Sequence, residues 1–330
     1  MQELHWGLPV IGYLFLAGVG AGAYTVSSSV LLRNGNGAIN GDNYAIARYG
    51  ALLAPIPLIV GTGMIIFELG TFQAAVATGD IGLFFKWIHL FLTINMSPMS
   101  IGSWVLSLCI IASVLYAYTF LAKEDTPGGD NKGLRRGLAW VGIPLGVAVA
   151  IYTGVMLGAM PSRPFWNSPV LALLFLVSSM STGVAGILLV KALFGDRQPA
   201  STPEVNVTED NQATYLLASS DVVLIGLEIL TIVMFIMFAH LTVGNQVEAI
   251  SIILPGGELS SMFWIGVVVV GLVLPVLIEL RYVIPALRNH KPYMMPHGTE
   301  VLVCAVILIG GFMLRYVVVI AGQMTGPMGL

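Results

Sequence analysis

The chain has 330 residues, 57% of them hydrophobic and only 9% charged, with a formal net charge of -3. A water-soluble domain carries about 25% charged residues, so this chain lacks the polar surface of one. It also has no polybasic run, which excludes the electrostatic footprint of a nucleic-acid binder.

Runs of the roughly 20 apolar residues needed to cross a bilayer fall in eight places: 9–32, 44–69, 98–122, 136–159, 168–194, 214–243, 261–285 and 297–322. Only helices and closed barrels satisfy their backbone hydrogen bonds in hydrocarbon, and runs of this length predict an all-α polytopic membrane protein of eight transmembrane helices. Before the first run, residues 1–6 contain Glu3 but no Lys or Arg, so the first span is expected to be retained rather than cleaved as a signal. It holds Gly18, Gly20 and Gly22 among Ala17, Ala21 and Ala23, small residues that let helices approach closely. The same glycines follow no strand and do not form a nucleotide fingerprint.

Residues 80–96 are apolar but short and carry Lys86, Trp87 and His89. They read as an interfacial segment lying along the headgroups. Connections elsewhere are rich in Gly, Pro, Asn or charge. Eight spans place both termini on one face, which holds Lys86 and Arg163. The opposite face collects Arg33, Arg48, Lys123, Lys132, Arg135, Arg136, Lys191, Arg197, Arg281, Arg288 and Lys291. The positive-inside rule makes that second face cytoplasmic and both termini external.

A weak repeat is visible at an offset of 160. Pro9 and Val10 recur as Pro169 and Val170, Leu14-Phe15-Leu16 as Leu174-Phe175-Leu176, Glu68 as Glu228, and Trp104 as Trp264. It predicts two adjacent four-helix bundles, 1–160 and 161–330, related by an axis along the membrane normal.

Charge inside hydrocarbon is costly and marks functional candidates. Four residues stand out: Glu68 at the outer end of span 2, Asp221 and Glu228 in span 6, and Arg315 in the outer part of span 8. Asp221 and Glu228 lie two turns apart on one helix face. They read either as a proton relay from the cytoplasmic face or as partners in buried pairs, with Arg315 facing Glu228 or Glu68. No two of His5, His89, His240, His290 and His297 stand at matched depth inside the bilayer, so no haem is expected. Cys109 and Cys304 sit singly in apolar runs, so no zinc site or iron–sulfur cluster is expected in this chain. They read as small buried hydrophobes.

Three segments, taken in order, resemble the NrfD/PsrC family, the membrane-anchor subunits of polysulfide-reductase-type complexes. They are YLFLAGVGAG from Tyr13 in span 1, RPFWN from Arg163 between spans 4 and 5, and LRYVVVIAGQ from Leu314 closing span 8. Ser97-Pro98-Met99-Ser100 before span 3 also fits, and the resemblance runs from residue 9 to 323. It implies a haem-free quinone-binding subunit in a bacterial or archaeal cytoplasmic membrane, with menaquinone ahead of ubiquinone. Such a subunit exchanges electrons with a ferredoxin-like iron–sulfur subunit on the outer face, which usually contacts a molybdopterin catalytic subunit.

The resemblance places the quinone in the outer half of the first four spans. The family's pocket tyrosine matches Tyr152, its acid Glu68, and its loop arginine Arg163, beside Trp166. Where some members have His and Asn on span 1, this chain has Tyr13 and Val10, so Tyr13 or His89 would supply the second hydrogen bond. A secondary transporter or proton channel is the alternative that the buried acids and the repeat leave open. The orientation is tested by a phosphatase fused after the last span, which is expected to be active, whereas a green fluorescent protein fused there should be dark. The reverse pattern would invert the topology.

Overall fold

The computed structural model describes residues 6–33, 44–68, 76–80, 82, 88, 97–121, 131–195, 207–242, 244–289 and 295–326. Among the described residues the secondary structure is helical, and eight helices are long and apolar enough to cross a membrane. They are span 1 (Leu8–Arg33), span 2 (Tyr44–Phe67), span 3 (Met99–Leu121), span 4 (Lys132–Gly158), span 5 (Val170–Phe194), span 6 (Thr214–Leu241), span 7 (Met262–Arg288) and span 8 (His297–Met324). They coincide with the eight runs expected from hydropathy. Most of the interfacial segment expected at 80–96, including Lys86, Trp87 and His89, lies outside the described residues.

Local departures from straight helix follow proline. Span 2 is interrupted at Ala54, where Tyr44–Leu53 gives way to Pro55–Glu68. Pro55 and Pro57 offer no N–H to the preceding turn. Span 7 begins as a wide π-helical stretch, Met262–Val273, in which Leu274 N–H bonds back to the Val269 carbonyl, and tightens to α-helix over Leu274–Asn289 next to Pro275. A π-helical turn inserts one extra residue per turn, which changes the face that the rest of span 7 turns inward.

Span 1 packs against spans 2, 4, 5 and 8, and span 5 against spans 1, 2, 4, 6 and 8. Spans 1 to 4 contact one another in a ring, 1–2–3–4–1, and spans 5 to 8 in a second ring, 5–6–7–8–5. The two rings meet along spans 1 and 5, where the fit is backbone against backbone. A Cβ at Gly22 would overlap the Ser179 carbonyl, and one at Gly183 would overlap the Gly22 backbone. Gly18 faces the Ser179 side chain, so two small-xxx-small patterns, Gly18/Gly22 and Ser179/Gly183, interlock. The helices run parallel with partners 161 apart, close to the 160 offset of the sequence match.

Outside this seam the protein turns large apolar side chains to lipid, among them Ile56, Ile111, Leu230 and Ile265. Burial against water is no driving force between helices in a bilayer, so close contact at the seam must supply the association. Gly183→Val is expected to destabilise the folded protein by about 3 kcal/mol through overpacking, whereas Gly226→Val, where no atom stands within 4 Å of an added Cβ, should be tolerated. The monodisperse fraction surviving a heating series in detergent checks both, and equal loss in the two variants would contradict the seam.

Candidate functional site

Among the described residues, two groups of buried polar side chains contain residues expected to form the site. The first is at the terminal face of spans 1 to 4. Tyr13, one turn into span 1, is buried, and Tyr152, in the last two turns of span 4, is half-buried. The two hydroxyls lie within electrostatic range of each other.

Tyr152 reaches this position because span 3 begins with a small residue at 102. A Cβ on Gly102 would collide with the tyrosine ring, so glycine opens the notch that the phenol enters. Among the described residues the Tyr152 hydroxyl donates only to the Met156 thioether, at 3.5 Å, a weak acceptor. The Tyr13 hydroxyl has no hydrogen-bond partner among the described residues. Met64 of span 2 packs on Gly12 and closes the apolar side. Helix ends here on Glu68, but the side chain of Glu68, like His89, lies outside the described residues.

Arg163 and Trp166 sit at the same face and are engaged elsewhere. The Arg163 guanidinium donates to the Gln323 and Gly326 carbonyls, each at 2.7 Å, and to that of Gly322 at 3.3 Å. These are carbonyls that the end of span 8 leaves unpaired, and a cation suits that negative helix end. Trp166 donates its indole N–H to the Val318 carbonyl at 2.8 Å and stacks on Trp6, 5.1 Å between centroids. Trp6 and Gln323 then exchange two hydrogen bonds of 3.0 Å, backbone to side-chain amide. The RPFWN loop thus clasps the two ends of the protein together, and neither Arg163 nor Trp166 bonds a residue of the tyrosine pair.

The second group lies between spans 5, 6, 7 and 8. Arg315 is fully buried. One guanidinium nitrogen donates to Ser178 at 2.6 Å and to the Gly311 carbonyl at 2.9 Å; the other donates to Ser179 at 3.2 Å. The group also lies over the Phe175 ring, 5.3 Å from its centroid. Ser178 faces Glu228 as well, so Arg315 meets that carboxyl across a hydroxyl rather than in a direct ion pair. Arg315 thus lies near Glu228, one of its two expected partners, while the side chain of the other, Glu68, lies outside the described residues.

Asp221 accepts a 2.8 Å hydrogen bond from Ser181 through Oδ1, while its Oδ2 has no partner. Ser178 and Ser181, three residues apart on span 5, face Glu228 and Asp221 respectively, which lie seven apart on antiparallel span 6. The order Asp221–Ser181 then Glu228–Ser178–Arg315 therefore runs from the loop side towards mid-membrane. Arg315 in turn reaches span 1, since a Cβ at Gly18 would lie 3.1 Å from its guanidinium.

Sequence reading overlooked Glu279. It lies inside the run 261–285 and is 2% exposed, with its Oε2 unpartnered. It was legible by the same criterion as the other four charges, an acid within an apolar run. Of the histidines, His240 is exposed and bonds only the Ile236 carbonyl of its own helix.

Eight spans, a seam of small residues and a buried arginine among serines and acids define a multi-pass membrane protein with buried charged side chains in its second half. The family model described as "Polysulphide reductase, NrfD" matches residues 1–327, and the chain belongs to that family. It is 30% identical to a polysulfide reductase chain from Wolinella succinogenes, over 97% of this protein and 94% of the relative. It is 29% identical to protein NrfD of Escherichia coli strain K12, over 98% and 96%. A selenate reductase subunit from Mesobacillus selenatarsenatis is similar at 21% identity, over 83% and 66%.

Removing the buried cation should expose its energetic role. Arg315→Ala leaves Glu228 without compensation and is expected to cost about 3–5 kcal/mol. Adding Glu228→Gln should return part of that loss. Thermal unfolding of the two single variants and the double variant gives the coupling, and strict additivity would show that Ser178 does not connect them.

Proposed function

We propose that this protein is the haem-free quinone-binding membrane anchor of a respiratory oxidoreductase, seated in a bacterial or archaeal cytoplasmic membrane. Membership of the family across the whole length supports the anchor role. The relatives named as parts of polysulfide and selenate reductases support partners of the same kind: a ferredoxin-like iron–sulfur subunit on the terminal face and a molybdopterin catalytic subunit beyond it, where the terminal substrate is reduced or oxidised.

The observation that carries the quinone reading is the pair of phenols at the terminal face of spans 1 to 4. A quinone presents carbonyl acceptors to its site, and a tyrosine hydroxyl is a donor that stays neutral in a low-dielectric site. Among the described residues Tyr13 has no hydrogen-bond acceptor and Tyr152 only sulfur, so both can turn to an incoming carbonyl without breaking a strong bond there. The apolar walls of spans 1 and 4 suit an isoprenoid tail. A bound quinone would carry two electrons and two protons between the lipid pool and the iron–sulfur partner. The protein's part is to orient it by Tyr152 and Tyr13 and to exchange protons through Glu68, with His89 the neighbouring candidate. Arg163 and Trp166 fix the rim of this face by fastening the loop after span 4 to the end of span 8.

The second half is read as a proton route. Asp221, Ser181, Glu228 and Ser178 alternate carboxyl and hydroxyl over two turns of helix, about 10 Å, and end at Arg315. Arg315 touches span 1 five residues from Tyr13. Protons taken up at the basic face would move along this file towards the quinone site.

In the assembled complex Tyr152→Phe is expected to slow turnover of menaquinone analogues about 100-fold, the usual scale for losing a positioned donor or proton-transfer group, with the subunits still copurifying. Wild-type turnover would remove Tyr152 from the site. Glu228→Gln should abolish charge movement across liposome membranes during turnover, and unchanged charge movement would end the relay reading. Substrate uptake by this protein alone would favour a transporter instead.

A further inference from the structure

We propose that Asp221 and Glu279 share one proton across spans 6 and 7, and that this carboxyl pair is the loop-side station of the proton route; the second clause rests on the relay reading above, the first does not. The placement follows from packing. Spans 6 and 7 run antiparallel and contact each other. Ala218 of span 6 packs on Val283 of span 7. Three residues along span 6 from that contact stands Asp221, and four residues back along span 7 stands Glu279. Steps of three and four keep both on the contacting faces, and they differ by about 1.5 Å of helix rise. The two carboxyls therefore lie at one level.

Both are buried, Asp221 at 0% and Glu279 at 2% exposure, and each has one carboxyl oxygen without a hydrogen-bond partner, Oδ2 and Oε2. Among the described residues, the groups facing them supply no cation. Ser181 of span 5 binds Asp221 Oδ1. Cys304 and Glu300 of span 8 lie near the pair, Tyr215 and Tyr282 flank the Ala218–Val283 contact, and Glu228 is two turns deeper. Lys191 of span 5 bonds Thr214, Arg281 is exposed, and Arg315 is held beyond Glu228 by Ser178 and Ser179.

Two carboxylates in this setting would be two uncompensated charges in hydrocarbon. One shared proton removes one charge and gives each orphan oxygen a role, an O–H donor on one acid and an acceptor on the other. In transport the pair accepts a proton at Glu279 from the face bearing Glu300 and releases one from Asp221 towards Glu228, so its own proton count is restored.

Infrared difference spectroscopy on the lipid-reconstituted complex, titrated in pH, tests the pair without reference to turnover. The wild type should show a protonated-carboxyl C=O stretch that shifts in D2O, lost in both Glu279→Gln and Asp221→Asn. Survival of the band in either variant overturns the sharing. If Glu279→Gln fails to fold, Glu279→Asp should move the band, and an unmoved band overturns the pair equally. Proton uptake from the loop side should slow about 100-fold in Glu279→Gln. Loss of the band with unchanged uptake would keep the pair and overturn its place in the route, whereas a wild type that moves no charge at all would overturn the relay alone.

Discussion

Where Gly22 of span 1 meets Gly183 of span 5 there is no room for a side chain on either helix. The backbones touch, and everything polar in the membrane is arranged from that contact outward. One turn away, Ser179 and Gly18 leave just enough space for the guanidinium of Arg315. Towards the terminal face the same span 1 presents Tyr13 to Tyr152. Two parallel helices at van der Waals contact make a rigid ruler, and the distances between the tyrosine pair, the arginine and the serines are set by it. Larger residues at the crossing would separate the two rings and detach Arg315 from span 1.

The serines decide how charge is tolerated. Arg315 takes neutral hydroxyls and a carbonyl as its immediate partners, and Glu228 stands behind Ser178. A direct ion pair would fix both partners in one state, since breaking it strands a charge. A hydroxyl between them can donate to the acid or accept from the arginine and reorient as the acid gains or loses its proton. Three residues further along span 5, Ser181 gives Asp221 a hydroxyl as well. The same economy recurs at the terminal face, where Arg163 meets helix-end carbonyls instead of a carboxylate.

Much of the fold was legible because hydrocarbon simplifies the code. Eight apolar runs became eight spans with ends shifted by a few residues, and the glycines of span 1 announced the crossing, although their partner on span 5 could not be named from spacing alone. Asp221, Glu228 and Arg315 were visible as charges where charge is costly, and Glu279 could have been. What the sequence did not disclose was the work of the RPFWN loop. Arg163 binds carbonyls of the backbone 160 residues away, and a backbone acceptor carries no signature in side-chain pattern. Gly102 was equally silent, since a notch for Tyr152 exists only once spans 3 and 4 are side by side.

The clasp at the terminal face also has a bearing on how the molecule comes into being. Trp6 precedes span 1 and Gln323 closes span 8, yet they hold each other by two hydrogen bonds under the stacked rings of Trp6 and Trp166. During translation the start of span 1 must wait, unpinned, while seven further helices enter the bilayer. Only when span 8 has emerged can its terminal carbonyls be gathered by Arg163 and the ring of helices be closed. The start of span 1 and the end of span 8 are fastened together, so closure of the bundle waits on span 8.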